Sequence, residues 1–200
     1  MHIDPSIYVA HAGFWCAFGL TRVILSRRER VRAGTVESAR VSSEGQTAPF
    51  SRALLAFHML AFATMYAGIG SAVFSGQIPV WVVYQRVLGF FVIAAGAALA
   101  VWALVYFRSW RFRAKLEKGH QLATGGPFRF LRHPIYMGLN LLALGSAVWI
   151  PTSIVWTGFV LMAIGSDLRG RSEEKILSDA FGSLYHDYCA RTSRFLPGIY

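Results

Sequence analysis

Two polar clusters in the second half of the chain have residue types and spacings suited to chemistry. The first is His120-Gln-Leu-Ala-Thr-Gly-Gly-Pro-Phe-Arg-Phe-Leu-Arg-His-Pro-Ile-Tyr136, continuing into Met137 and Gly138. Gly125, Gly126 and Pro127 shape a tight turn, and the unpaired N–H and C=O groups of such a turn suit a nucleoside or amino-acid moiety. His133 and Tyr136 stand about one helical turn apart and share a face, with Asn140 one turn deeper. The same Arg-His-Pro-x-Tyr run also fits an interfacial belt that anchors a helix end.

The second cluster holds Asp167, Arg169, Arg171, Glu173 and Glu174, followed by Phe181-Gly182, Tyr185, Tyr188 and Arg194-Phe-Leu-Pro197. Arg169 and Glu173 are four residues apart on one helical face, where an exposed ion pair is worth only a few tenths of a kcal/mol. The alternative use of that geometry is recognition. Glu173 then accepts from a ligand ammonium while Arg169 fixes an anionic substrate group at the membrane boundary.

The elements that must position these clusters are apolar. The chain has 200 residues, 54% of them hydrophobic, with 20 Lys+Arg against 10 Asp+Glu, a net charge of +10 and two cysteines. This excludes a disordered chain, a Gly-X-Y fibre and a disulfide scaffold. Apolar runs at 6–25, 53–74, 87–107, 134–150 and 154–168 predict an all-α integral membrane protein with about five transmembrane helices. Pro134 opens the fourth helix, and Pro151 with Thr152 and Ser153 ends it and caps the fifth, so helices four and five form a tight hairpin. A helix from 154 to 180 is about 40 Å long and outlasts a core of about 30 Å, which predicts a cytoplasmic C-terminal extension, with Gly182 as the helix terminator.

Charge placement sets the expected topology. Arg22, Arg27, Arg28, Arg30, Arg32, Arg40 and Arg52 lie between helices one and two. Arg108, Arg111, Arg113, Lys115, Lys118, Arg129, Arg132, Arg169, Arg171, Lys175, Arg191 and Arg194 fall on the same side. The opposite turns, 75–79 and 151–153, contain no charge, so the N-terminus lies outside and the C-terminus in the cytoplasm. Arg86, at the start of helix three, is the exception, and it either snorkels to the outer interface or pairs within the bundle. The first helix reads as retained rather than cleaved, because its charges follow the apolar stretch.

His11, His58 and Asn140 read as hydrogen-bonded helix contacts, Gly68, Gly70 and Gly96 as close-packing positions, Cys16 and Cys189 as unpaired thiols, and 30–48 as a mobile loop. No metal-ligand spacing, Walker loop or dinucleotide fingerprint is present. A nucleic-acid partner is not expected, since the arginines form no contiguous soluble face.

Together the clusters resemble the isoprenylcysteine carboxyl methyltransferase family, with its prokaryotic relatives and the related phospholipid methyltransferases. The first block is His120-x-Leu-x-x-x-Gly126-Pro127-Phe128-x-x-x-Arg132-His133-Pro134-x-Tyr136-x-Gly138. The second is Arg169-x-x-x-Glu173-Glu174, Phe181-Gly182-x-x-Tyr185-x-x-Tyr188 and Arg194-Phe-Leu-Pro197. The resemblance covers 87–200 as a catalytic region, while 1–86 holds helices one and two and a basic loop, within one integrated membrane domain.

What the resemblance implies is an S-adenosylmethionine-dependent membrane enzyme without a Rossmann domain, acting on a lipophilic methyl acceptor from the bilayer. Isoprenylcysteine-type carboxyl O-methylation leads, with phospholipid amine N-methylation or small-thiol S-methylation as alternatives, in the cell inner membrane if the source is bacterial. By position it implies cofactor binding by His120, Gln121, Leu122, Ala123, Phe128, His133, Pro134, Ile135, Tyr136 and Glu173, and a substrate-side role for Arg169. Arg169 and Glu173 are thus the catalytic pair. Phe128 stands where many relatives have Tyr, and Gln121 and Ala123 replace the Glu and Val of some eukaryotic members. A small transporter or scaffold is the non-enzymatic alternative, although no repeat or mid-membrane helix break is evident.

Overall fold

The structure is a computed structural model that describes residues 5–34, 50–75, 83–107 and 122–198. Among these residues all regular structure is helical, apart from one parallel bridge between Leu131 and Ser193. In order the helices are α1 (Ser6–Gly34), α2 (Ser51–Ser75), α3 (Val83–Phe107), α4 (Pro134–Trp149), α5 (Ser153–Phe181) and α6 (Ser183–Arg191), with a short 3₁₀ turn at Gly126–Arg129 ahead of α4. Ser6–Arg28, Ser51–Ser75 and Val83–Phe107 are each long and apolar enough to cross a membrane. α4, at 16 residues, is shorter, and the second half of α5 carries charge, so length and composition mark three spans where five are expected.

The sequence signals that end these helices operate as expected. Pro134 occupies the first turn of α4 with His133 as its N-cap, and the Thr152 hydroxyl caps α5 by accepting from Val155 N–H at 3.4 Å. Gly182 has φ +53°, a left-handed value that costs glycine little, and it separates α5 from α6, a helix the sequence reading did not anticipate. α1 continues to Gly34, so 30–34 belong to a helix rather than to the expected loop, whose remainder lies outside the described residues. Arg86 is half-buried in the first turn of α3.

Packing occurs chiefly in two antiparallel pairs, α3 with α4 and α2 with α5, joined by the α4–α5 hairpin. Backbones touch at glycines. A Cβ on Gly96 would lie 2.7 Å from Gly138 O, and one on Gly89 would lie 2.7 Å from Gly145 O, so two positions seven apart on each helix form the α3–α4 seam. On α5, a Cβ at Gly158 would reach 2.8 Å from Met65 Cα. Gly68 is equally tight against Val155, whereas Gly70 meets only the Tyr8 hydroxyl at 3.8 Å and is no close-packing position. Lipid offers helices no hydrophobic reason to associate, so van der Waals contact through small residues and interhelical hydrogen bonds must supply the attraction.

Polar side chains of α1, α2 and α4 form a hydrogen-bonded chain inside the apolar bundle. Trp15 Nε1–H donates to Tyr66 Oη at 2.7 Å, and Tyr66 Oη lies 2.9 Å from His11 Nδ1. His11 Nε2 lies 2.9 Å from Ser146 Oγ, which donates to Leu142 O at 2.7 Å. One assignment uses every proton: Tyr66 donates to Nδ1, and a neutral His11 donates from Nε2 to Ser146. The chain ties α1 to α2 and α4, and it makes His11 the helix contact the sequence suggests. Cys16 and Cys189 are unpaired.

Overpacking the glycine seam has a predictable cost. Gly96→Leu should destabilise the bundle by about 1–3 kcal/mol in detergent thermal unfolding, because the intruding carbons meet backbone rather than a movable side chain. Gly19→Ala, at a site with nothing within 4 Å, should leave the transition in place.

Candidate functional site

The two polar clusters converge where the start of α4 meets the middle of α5. His133, at the α4 N-cap, directs Nδ1 toward Glu173 Oε2 at 3.6 Å and Nε2 toward Glu174 Oε1 at 3.2 Å. Its ring stacks on Tyr136 with centroids 5.7 Å apart and leans on Phe195 at 5.9 Å. The close passage of α5 permits this, since a Cβ on Gly170 would lie 3.2 Å from His133 Cδ2.

Glu173 and Glu174 are neighbours with different environments. Glu174 Oε1 accepts from Arg132 Nε at 2.8 Å and Arg194 Nε at 2.9 Å, and Oε2 accepts from Arg194 Nη2 at 2.6 Å. Burial raises its pKa, but hydrogen bonds from His133, Arg194 and Arg132 outweigh that and hold the carboxyl well below the usual glutamate range. A carboxylate so engaged is a structural anion and no general base.

Glu173 accepts a hydrogen bond from the Tyr136 hydroxyl through Oε1, with Arg169 Nε 3.9 Å from the same atom. Glu173 Oε2 faces His133 Nδ1 at 3.6 Å, beyond hydrogen-bond distance, and the side chain keeps 21% of its exposure. Arg169, 5% exposed, lies with Cζ 5.4 Å from the Tyr136 ring centroid. Its burial rules out the exposed surface ion pair that spacing alone allowed.

The C-terminal segment closes over this arrangement. Arg132 N–H donates to Ser193 O at 2.8 Å, His133 N–H to Arg194 O at 3.3 Å, and Ser193 N–H to Phe130 O at 3.1 Å. Arg132 Nη1 also donates to the carbonyls of Cys189, at 3.2 Å, and Thr192. Arg194 Nη1 bonds Asp167 Oδ1 at 3.1 Å, and Asp167 Oδ2 accepts from Arg171 at 2.6 Å.

The other expected site residues divide. Tyr136, His133, Arg169 and Glu173 come together as anticipated. Phe128 is buried against Phe107, with centroids 5.4 Å apart, and its carbonyl accepts from the Tyr188 hydroxyl at 2.7 Å. Ile135 is buried in the apolar core, Pro134 fills the first turn of α4, and Leu122 and Ala123 are half-buried ahead of the 3₁₀ turn. His120 and Gln121 lie outside the described residues.

Asn140 is the hydrogen-bonded helix contact the sequence suggests, its Oδ1 accepting from Ser166 on α5 at 2.8 Å. One expectation needs correction: the glycine turn is not simply an open cradle. Phe128 N–H donates to Gly125 O, Phe130 and Leu131 N–H donate to Pro127 O, and a Cβ on Gly125 would lie 1.8 Å from the Tyr106 hydroxyl. Gly126, at φ +56°, is needed both for its backbone conformation and for the Tyr106 ring packed on it.

Sequence reasoning assigned no role to Arg132, Arg194 or Asp167, nor to His58 beyond a helix contact. The arginines were visible beside an acidic pair, but the partnership spans 42 and 20 residues and leaves no local spacing to read. Among the described residues no group of His, Cys, Asp or Glu gathers as a metal site.

Comparison with known proteins matches the same part of the chain. The family described as phospholipid methyltransferase matches residues 84–184. Protein-S-isoprenylcysteine O-methyltransferase of Saccharomyces cerevisiae is 35% identical over 89 residues, 44% of this chain and 37% of that protein. The probable protein-S-isoprenylcysteine O-methyltransferase of Oryza sativa subsp. indica is 36% identical over 89 residues, covering 44% of this chain and 46% of its own length. The Dictyostelium discoideum protein-S-isoprenylcysteine O-methyltransferase is 32% identical over 83 residues, 40% of this chain and 35% of that protein. The matched stretch thus spans less than half of each relative.

The Glu174 clamp makes stability depend on pH with a definite sign. Its folded pKa is depressed, so its contribution is complete above the unfolded value of about 4.3 and is lost as pH falls toward the folded one. Glu174→Gln should cost about 3 kcal/mol at pH 7 and flatten the acid limb of thermal stability between about pH 5 and 3. An acid limb identical to the parent's would show that other carboxylates carry it.

Proposed function

Since the chain belongs to the phospholipid methyltransferase family, we propose that it is an integral membrane S-adenosylmethionine-dependent methyltransferase whose acceptor is a lipophilic carboxylate of the isoprenylcysteine type. The observation that carries this reading is the contrast between the two glutamates. Glu174 is filled by Arg132, Arg194 and His133, whereas Glu173, 21% exposed, has only a 3.6 Å approach of His133 Nδ1 at Oε2 and lies beside the buried Arg169.

The partly exposed Glu173 carboxylate fits the ammonium of an amino-acid moiety. Leu122, Ala123, Phe128, His133, Pro134, Ile135, Tyr136 and Glu173, with His120 and Gln121, are the residues we assign to holding the cofactor. When bound, that cofactor supplies an electrophilic methyl group on a cationic sulfur that leaves as a neutral thioether.

The remaining work falls to the chain. Arg169, fixed by Tyr136 and Glu173, presents a guanidinium to an anionic acceptor and orients it for displacement. A carboxylate is already ionised at neutral pH, so O-methylation needs no base, only alignment and exclusion of water by the apolar walls. An amine acceptor would have to lose a proton, and Glu174 is committed to two arginines. The acceptor enters from the bilayer. In this reading the basic segments face the cytoplasm with the C-terminus, the N-terminus lies outside, and the membrane is the inner one if the cell is bacterial. The helices within 1–86 and the region 87–200 act as one membrane unit.

Calorimetry on detergent-purified protein tests the reading. Saturable binding of S-adenosylhomocysteine is expected, weakened about tenfold or more in Glu173→Ala and little changed in Arg169→Ala, which should instead lose about a hundredfold in methyl transfer to a prenylated cysteine. No binding by the folded parent protein would sink the methyltransferase reading. Faster transfer to an ethanolamine phospholipid would replace the acceptor class.

A further inference from the structure

The stretch matched by the family, 84–184, leaves out α2, yet α2 delivers a side chain to the wall of the site. His58 is buried on that helix, with its ring centroid 5.9 Å from that of Tyr136 and tilted 37° to it. On α5 the imidazole occupies space that Gly165 leaves, since a Cβ there would lie 3.1 Å from His58 Cε1. Its Nδ1 lies 3.2 Å from Leu54 O and its Nε2 3.4 Å from Ser166 Oγ, which donates to Asn140 Oδ1 at 2.8 Å. One side chain thus links α2 to α5 and, through Ser166, to α4.

The contacts of Tyr136 show what this link does. Its ring is bounded by His133 at 5.7 Å, His58 at 5.9 Å and the Arg169 guanidinium carbon at 5.4 Å, while its hydroxyl donates to Glu173. Ser166 sits one turn before Arg169 on α5, so the hydrogen-bonded set holds the helix that carries Arg169 at the level of the site. Packing alone gives no reason for an imidazole here. A leucine or phenylalanine would fill the gap without the desolvation cost of a polar ring in an apolar bundle.

We propose that His58 is a positioning residue of the methyl-transfer site, setting the Tyr136 ring and Ser166 and through them the placement of Arg169 and Glu173. This makes α2, outside the matched region, part of the working site, and it rests on the methyltransferase reading above.

The test compares two buried histidines in the full chain. His58→Leu removes the contacts to both Tyr136 and Ser166, while His11→Leu removes a buried hydrogen-bonded imidazole that touches neither Tyr136 nor Ser166. S-adenosylhomocysteine affinity, kcat and the melting temperature are measured for each. His58→Leu is expected to lower kcat about tenfold and to weaken S-adenosylhomocysteine binding severalfold, whereas His11→Leu lowers the melting temperature and leaves kcat and that affinity at the parent values. His58→Phe keeps a ring beside Tyr136 but drops the Ser166 contact, so it should lose about threefold, and it carries the test alone if the leucine variant does not fold. A folded His58 variant with parental kcat overturns the proposal while leaving the methyltransferase reading intact. A parent protein that binds no cofactor and transfers no methyl group overturns both.

Discussion

A single carboxylate, that of Glu174, gathers the parts of the chain on which the site depends. It accepts from Arg132 ahead of α4 and from Arg194 beyond α6, and it faces His133 at the α4 N-cap. A buried anion is tolerable only when its lone pairs are filled, so these partners must be in place together for the fold to be stable. The consequence reaches backbone. With Arg132 and Arg194 clamped, the segments around Phe130 and Ser193 lie side by side and exchange hydrogen bonds, which seats Phe195 against His133.

Filling Glu174 also defines its neighbour. Successive helical residues point about 100° apart, so Glu173 turns away from the arginine clamp toward Tyr136 and Arg169. One glutamate is filled by arginines and the other is held by Tyr136 with His133 and Arg169 beside it. The same-sign carboxylates coexist because the cations are divided between them, two on Glu174 and the buried Arg169 near Glu173.

The membrane part provides the frame that holds this polar end in register. Glycine contacts seven residues apart bring α3 against α4, and Gly158, Gly165 and Gly68 bring α2 against α5. Hydrogen bonds from His11 and His58 cross between helices that apolar surface alone would not align. α2 therefore does more than fill the membrane: the contacts of His58 connect it to Tyr136, the residue that touches both Arg169 and Glu173.

Much of this was legible in the sequence because it depends on local chemistry. Apolar run length, Pro134, Thr152 and Gly182 determined where α4 and α5 begin and end, since caps and breakers act within a turn of themselves. His133, Tyr136, Arg169 and Glu173 stood out because spacings of three and four place residues on one helical face. Tertiary structure alone decided which glutamate the two arginines fill, that Asn140 bonds Ser166, that Gly125 and Gly126 back onto Tyr106, and that His58 lies against Tyr136. Each of those outcomes is set by contacts between residues 19 to 108 apart in the chain, a distance over which periodicity carries no information and only packing assigns partners.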